Sequence, residues 1–240
     1  MAEDRRAPEP EQEADQGGGF ARSVGVVGSL TLVSRLFGYV RDIFMATIMG
    51  AGPLGDAFTV ALTLPNSFRQ IFAEGAFNAA FIPTYTETQT RDGKAKAARF
   101  AGQVMTVLLL VLLPLSALIL WQMPAVIGFL SQGYEVGGER FTFAVLFARI
   151  MFGYLTLVSL MALCVGILNA NRRFAPGPAV QIGYNVILIA ALVLVVPAVG
   201  VPAHVLSVGV LSAGAFQFAL AWVLVSLLVG ITVIPRLPRF

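Results

Sequence analysis

Cysteine and histidine each occur once in the 240 residues, as Cys164 and His204. A lone cysteine closes no disulfide within the chain and builds no thiolate metal cluster. A lone histidine without neighbouring ligands does not make a metal site either, so no cofactor is expected. The chain also lacks a Ser/His/Asp set and a phosphate-binding glycine loop. The expectation is therefore not an enzyme. Charge is scarce: 12% of residues are charged, against about 25% in soluble domains. The net charge of +3 is spread over few, scattered groups, which argues against a nucleic-acid surface. Apolar residues are in excess, at 57% with a mean hydropathy of +0.81. These values describe an integral membrane protein.

The opening stretch, MAEDRRAPEPEQEADQGGGF, is polar and acidic and ends in three glycines. It has no apolar core of a signal peptide. Its composition predicts a disordered polar cytoplasmic tail over 1–22. Beyond it, apolar runs long enough to cross a bilayer, about 20 residues each, alternate with short polar breaks. They fall at about 23–49, 54–84, 100–122, 141–169, 178–198 and 203–233. The expected fold is all-α: a polytopic six-helix transmembrane bundle over 23–240. Lysine and arginine set its orientation. The tail, the connections after the second and fourth runs, and the C-terminal stub carry eleven basic residues. The opposite connections carry one, Arg140. Both termini are expected in the cytoplasm.

Four arginines remain inside the runs: Arg35, Arg41, Arg69 and Arg149. A charge in a span costs a few kcal/mol and usually faces a bundle interior or a wet cavity. Arg35 and Asp42 are seven residues apart, two turns along nearly one helix face. Arg41 and Asp42 also read as a local charge-compensating couple. Snorkelling to the headgroups is the alternative for Arg35. The second run contains Pro65, Gly75 and Pro83, each a weak point in a helix, with Arg69 and Glu74 between the prolines. A broken span with polar groups at the break is a common build for transport sites. A kinked structural helix is the plain alternative. Asp56 stands in that run's first turn, where a carboxylate also suits the helix dipole. Arg149 has no acid within four residues, so its partner must come from another helix or a ligand. Asn185 and Gln217 are isolated polar residues that suit interhelical hydrogen bonds. The excess of arginines predicts a positive cavity. Guanidinium groups match phosphate in a bidentate way, so a lipid-linked pyrophosphate fits it.

The stretches SRLFGYVRD and GAGPLGDAFTVALTLPNSFRQIFAEGAFNAAFIPTY closely resemble the opening of the MurJ/MviN lipid II flippases. These belong to the multidrug/oligosaccharidyl-lipid/polysaccharide exporter superfamily. GILNANRRFAPGPAVQIGYNV is similar to the family's connection between the fourth and fifth spans. The resemblance runs from about residue 23 to the end. It implies one N-terminal lobe of a two-lobe transporter. It also implies transfer of the undecaprenyl-pyrophosphate-linked peptidoglycan precursor, lipid II, from the inner to the outer leaflet of the bacterial plasma membrane. By motif it implies substrate-binding roles for Arg35, Arg41 and Arg69. Asp42, Asp56 and Glu74 become cavity or coupling acids, and Arg149 joins them as a cavity candidate from its position in the span. Many relatives have a second arginine after Arg69, where this chain has Gln70. The expected partners are lipid II, membrane lipids and a C-terminal or partner lobe. A coupling ion or the membrane potential would drive the cycle. Two other readings stand beside this one. A cation-coupled drug exporter of the superfamily would favour acids and aromatics in its site, and an exporter of another lipid-linked oligosaccharide is a further alternative. A membrane scaffold for cell-wall synthesis would not transport at all.

Overall fold

The computed structural model describes residues 10–50, 52–73 and 76–237, with side chains from Gly25 onward except those of 68, 69, 71–73 and 76. Among these residues the ordered structure is helical: α1 (Pro10–Met49), α2 (Pro53–Ala73), α3 (Ala76–Asp92), α4 (Lys94–Trp121), α5 (Met123–Leu130), α6 (Glu139–Met151), α7 (Tyr154–Ala170), α8 (Pro176–Ala190), a π segment (Ala191–Val195), α9 (Val196–Val199) and α10 (Pro202–Val229). Among the described residues four helical segments are long and apolar enough to cross a membrane: α4, α6–α7, α8–α9 and α10. The chain is a multi-pass membrane protein. Arg35, Arg41 and Asp42 of the expected first span sit on α1, and Asp56 and Arg69 of the second on α2.

Helix ends follow a repeated chemistry. Gly50 and Gly200 take left-handed backbone at φ 61° and 73°, which glycine adopts without a Cβ clash. Pro53 and Pro202 then open the next helices, where a missing N–H costs nothing. Arg172 performs the left-handed turn after α7 at φ 59°, and Pro176 starts α8. The two prolines of the second run behave differently. The sequence reading took them as interruptions, but α2 runs through Pro65 and α3 through Pro83. In a packed bundle the freed carbonyl finds other partners, so a proline need not end the helix. α1 also differs from expectation, because it is helical from Pro10, within the stretch read as an unstructured tail. Glu11, Gln12, Glu13 and Ala14 follow Pro10, and all four are good helix formers. The short α5 was not anticipated; its buried Met123 and Ile127 tie it to the core.

α7 is the axis of the bundle. Twelve of its 17 residues are buried, so it is covered on all sides, as a core helix must be. The α6–α7 segment is 72% buried over its apolar window, against 17% for α4, which places α4 at the lipid-facing edge. α10, α2, α3 and α4 pack around α7, while α1 lies mainly on α8. Phe81 stacks on Phe77 and Phe100 at 5.5 and 5.9 Å, joining α3 to α4. His204 presents its ring edge-to-face with Phe147 at 5.1 Å.

After α10 the chain turns at Gly230, φ 74°, and continues as a non-helical strap. The Trp222 Nε1–H donates to the Val233 carbonyl at 2.9 Å. The Arg236 N–H donates to the Gly102 carbonyl of α4 at 3.2 Å. A Cβ on Gly102 would collide with the Ile234 carbonyl, so this crossing needs glycine. Trp222→Phe keeps an aromatic ring, though a smaller one, and removes the donor, whose hydrogen bond contributes about 1 kcal/mol. Faster hydrogen exchange at the Arg236 amide is the expected result; an unchanged rate would show that Gly102 alone holds the strap.

Candidate functional site

α1 faces α2, α7 and α8 across a cavity of about 580 Å³. Thr31, Ser34, Gly38 and Arg41 reach it at intervals of three and four residues, the repeat of one helix face. Arg35 lines the same space. α2 contributes Asn66, α7 contributes Met161, Ala162 and Val165, and α8 contributes Gln181, Tyr184 and Asn185. Among the described residues no carboxylate lines the cavity, and two guanidinium groups do.

Arg41 is held from three directions. Its Nη1 donates to Asn185 Oδ1 at 3.0 Å. Its Nε and Nη2 donate to Asp42 Oδ1 at 3.0 and 2.7 Å. Its guanidinium carbon lies 5.9 Å from the centre of the Tyr184 ring, near the outer limit for a cation–π contact. Asn185 is 2% exposed and is itself fixed, since its Nδ2 donates to the Ser34 carbonyl at 3.3 Å. This bond ties α8 back to α1 at Ser34, two turns before Arg41. Asp42 is 61% exposed and the Arg41 side chain 21%. An ion pair this open to solvent contributes at most about 1 kcal/mol, so an anion with better geometry can compete for the guanidinium. Arg35 is exposed and has no ion pair among the described residues.

The other expected residues lie elsewhere. Arg69 follows Asn66 by three positions on α2, and its side chain is outside the described residues. Glu74 is outside them altogether. Asp56, at the start of α2, pairs with Arg140 of α6 at 3.5 Å, both half-exposed. Tyr134 sits beside this pair in the connection before α6. Burial raises its pKa, and the Asp56 carboxylate raises it further. Arg149 is exposed on α6 and does not line the cavity of Arg35 and Arg41. Asn185 and Gln217 make interhelical bonds as their isolation suggested. Gln217 accepts from the Tyr154 hydroxyl at 3.3 Å and donates to Gln181 Oε1 at 3.2 Å. Asn66, Gln181 and Tyr184 were missed as cavity residues. On α8 a signal was present, because Gln181, Tyr184 and Asn185 are spaced i, i+3, i+4 in an otherwise apolar helix.

The sequence model of the family described as Lipid II flippase MurJ matches residues 45–237. The chain belongs to this family. A relative from Rhizobium meliloti, described as "Probable lipid II flippase MurJ", is 42% identical over 213 residues, covering 86% of this chain and 39% of that protein. The "Lipid II flippase MurJ" of Burkholderia cenocepacia is 34% identical over 197 residues, covering 82% of this chain and 38% of its own. A solved structure, "Lipid II flippase MurJ, inward closed conformation", superimposes with a TM-score of 0.68 at 25% identity. It covers 80% of this chain and 40% of that one. The chain thus spans about two-fifths of the length of the MurJ relatives it matches. The cavity of Arg35 and Arg41 uses α1, α2, α7 and α8. The family match takes in the last three of these but begins after both arginines, at residue 45.

Proposed function

We propose that this chain is the N-terminal lobe of a lipid II flippase of the bacterial plasma membrane. The lobe has six membrane-spanning segments: α1, α2–α3, α4, α6–α7, α8–α9 and α10. Both of its ends face the cytoplasm, on the side of the eleven basic residues. The observation that carries this reading is the pairing of Arg35 and Arg41 in a cavity that no acid lines among the described residues. A positive cavity with a guanidinium prealigned by Asn185 suits a pyrophosphate, which takes charge-assisted, bidentate hydrogen bonds. A polar stripe on α2 supports a wet boundary there. Thr59, Thr63, Asn66, Ser67 and Gln70 are all exposed, and the hydroxyls bond back to carbonyls one turn earlier.

In this mechanism the pyrophosphate enters from the cytoplasmic leaflet and displaces Asp42 from Arg41, while Arg35 and Arg69 share the charge. The prenyl tail stays in the bilayer. A second lobe closes the cavity, and rocking of the lobes turns it outward. Membrane potential or a coupling ion resets the cationic state, at about 2.3 kcal/mol per charge per 100 mV. Asp42, Asp56 and Glu74 are the acids available for coupling. A drug exporter fits less well, because a cationic drug would meet two arginines.

Complementation tests this. The 240-residue chain, and the chain fused to the second lobe of a relative, are expressed in cells depleted of their own flippase. Rescue by the fusion alone is expected. Rescue by the short chain would overturn the need for a different second lobe. Rescue by neither, with both present in the membrane, would overturn the flippase reading.

A further inference from the structure

A second concavity, of about 480 Å³, lies where α1, α8 and α10 meet. Its walls are apolar: Val26 and Leu30 from α1, Leu224 and Leu228 from α10. Arg172 and Arg173, in the turn between α7 and α8, stand at its edge. It is separate from the cavity of Arg41. On α8 the groove takes Ala179 and the cavity takes Gln181 and Asn185, and at about 100° per residue these point to different faces. α1 packs closely on α8 and touches α10 little, so the groove lies between α1 and α10.

We propose that this groove binds an anionic phospholipid, with an acyl chain between α1 and α10 and its phosphate on Arg172 and Arg173. Both side chains are exposed, and neither has a partner among the described residues. Their backbone is fixed: the Arg172 N–H donates to the Asn169 carbonyl at 3.0 Å and the Arg173 N–H to the Leu168 carbonyl at 2.9 Å. Arg172 does this at φ 59°, a conformation uncommon for residues other than glycine, asparagine and aspartate. Two positive charges therefore project from a defined turn beside an apolar slot. A soluble anion satisfies the charges and leaves the slot unfilled. An apolar helix fills the slot and leaves the charges unpaired. A phosphate-headed lipid satisfies both, and basic pockets between membrane helices recognise such headgroups. The proposal rests on membrane embedding alone and not on transport.

Native mass spectrometry of the 240-residue chain, with phosphatidylglycerol and phosphatidylethanolamine as probes, tests it. Phosphatidylglycerol is expected to bind more tightly. Arg172→Asn with Arg173→Gln keeps the left-handed turn and should weaken phosphatidylglycerol about thirtyfold, two surface charges being removed. Ala179→Phe, which fills the slot, should weaken both lipids. Arg91→Gln with Lys94→Gln removes two charges from the α3–α4 connection and should leave phosphatidylglycerol within about threefold. Equal losses in the two double variants would mean unspecific surface attraction and overturn the site. So would unchanged binding in Ala179→Phe. Because no step needs lipid II or a second lobe, failure here leaves the flippase reading untouched, and success does not establish it.

Discussion

Arg41→Ala in the two-lobe fusion should abolish rescue of flippase-depleted cells, and it should weaken binding of lipid II by one to two orders of magnitude. A hydrogen bond to a charged group contributes about 1.5–3 kcal/mol, and each 1.4 kcal/mol is about tenfold. Arg41→Lys should recover only part of this, since an ammonium cannot grip a phosphate in a bidentate way. Asn185 separates this role from simple structural damage. Asn185→Asp would place a carboxylate 3.0 Å from the Arg41 Nη1 in the present geometry. The guanidinium would then be held by two acids, Asp42 and the new one. The expected result is a loss of lipid II binding close to that of Arg41→Ala, although Arg41 is still there and the protein still melts cooperatively. Asn185→Leu should bind at an intermediate level, because Arg41 keeps its charge but loses the contact that aims it. If Asn185→Asp binds lipid II as the unaltered protein does, Arg41 is a structural partner of Asp42, and the substrate role assigned to it is wrong.

The membrane class and the two α1 arginines were legible in the sequence for one physical reason. Charge is costly in a bilayer, so each charged residue in an apolar run is a signal. Four of the expected spans coincide with helices apolar enough to cross. The same logic flagged Arg149, which the structure leaves exposed on α6 and outside the cavity; cost shows that a charge is unusual, not where it points. Neutral polar residues carry a weaker signal. Asn185 and Gln217 read as interhelical hydrogen-bonding residues and are so. Their neighbours Gln181 and Tyr184 went unnoticed because each alone is unremarkable on a helix. Proline misled for a related reason. Pro65 and Pro83 remove donors, but whether a helix breaks depends on the packing around it, which no local rule contains. Strap residues 231–237 were also illegible, since their place on α4 depends on Gly102 and Trp222, more than a hundred residues apart.

Gly214→Ala should destabilise the lobe, although alanine is the better helix former by about 1 kcal/mol. Gly214 lies within α10 where that helix crosses α7, and a Cβ there would run into the Tyr154 ring. Tyr154 is 1% exposed and cannot withdraw freely. It lies against Tyr184 at 5.8 Å, and its hydroxyl reaches Gln217 at 3.3 Å. Any shift that admits the methyl therefore strains the ring contact or the hydrogen bond. It also moves Tyr184, the ring beneath Arg41. Overpacking of this kind costs about 1–3 kcal/mol, and leucine should reach the upper end. For a chain of this size that is a fall in melting temperature of roughly 6–12 °C in detergent for Gly214→Leu. Gly28 supplies the control, because nothing lies within 4 Å of its added Cβ. Gly28→Ala should be neutral or slightly stabilising. The two alanine variants make the same chemical change in two helices, so opposite signs isolate the crossing. Equal shifts would mean that α7 and α10 have room to part, and the tie from Gly214 through Tyr154 to the arginine cavity would not exist.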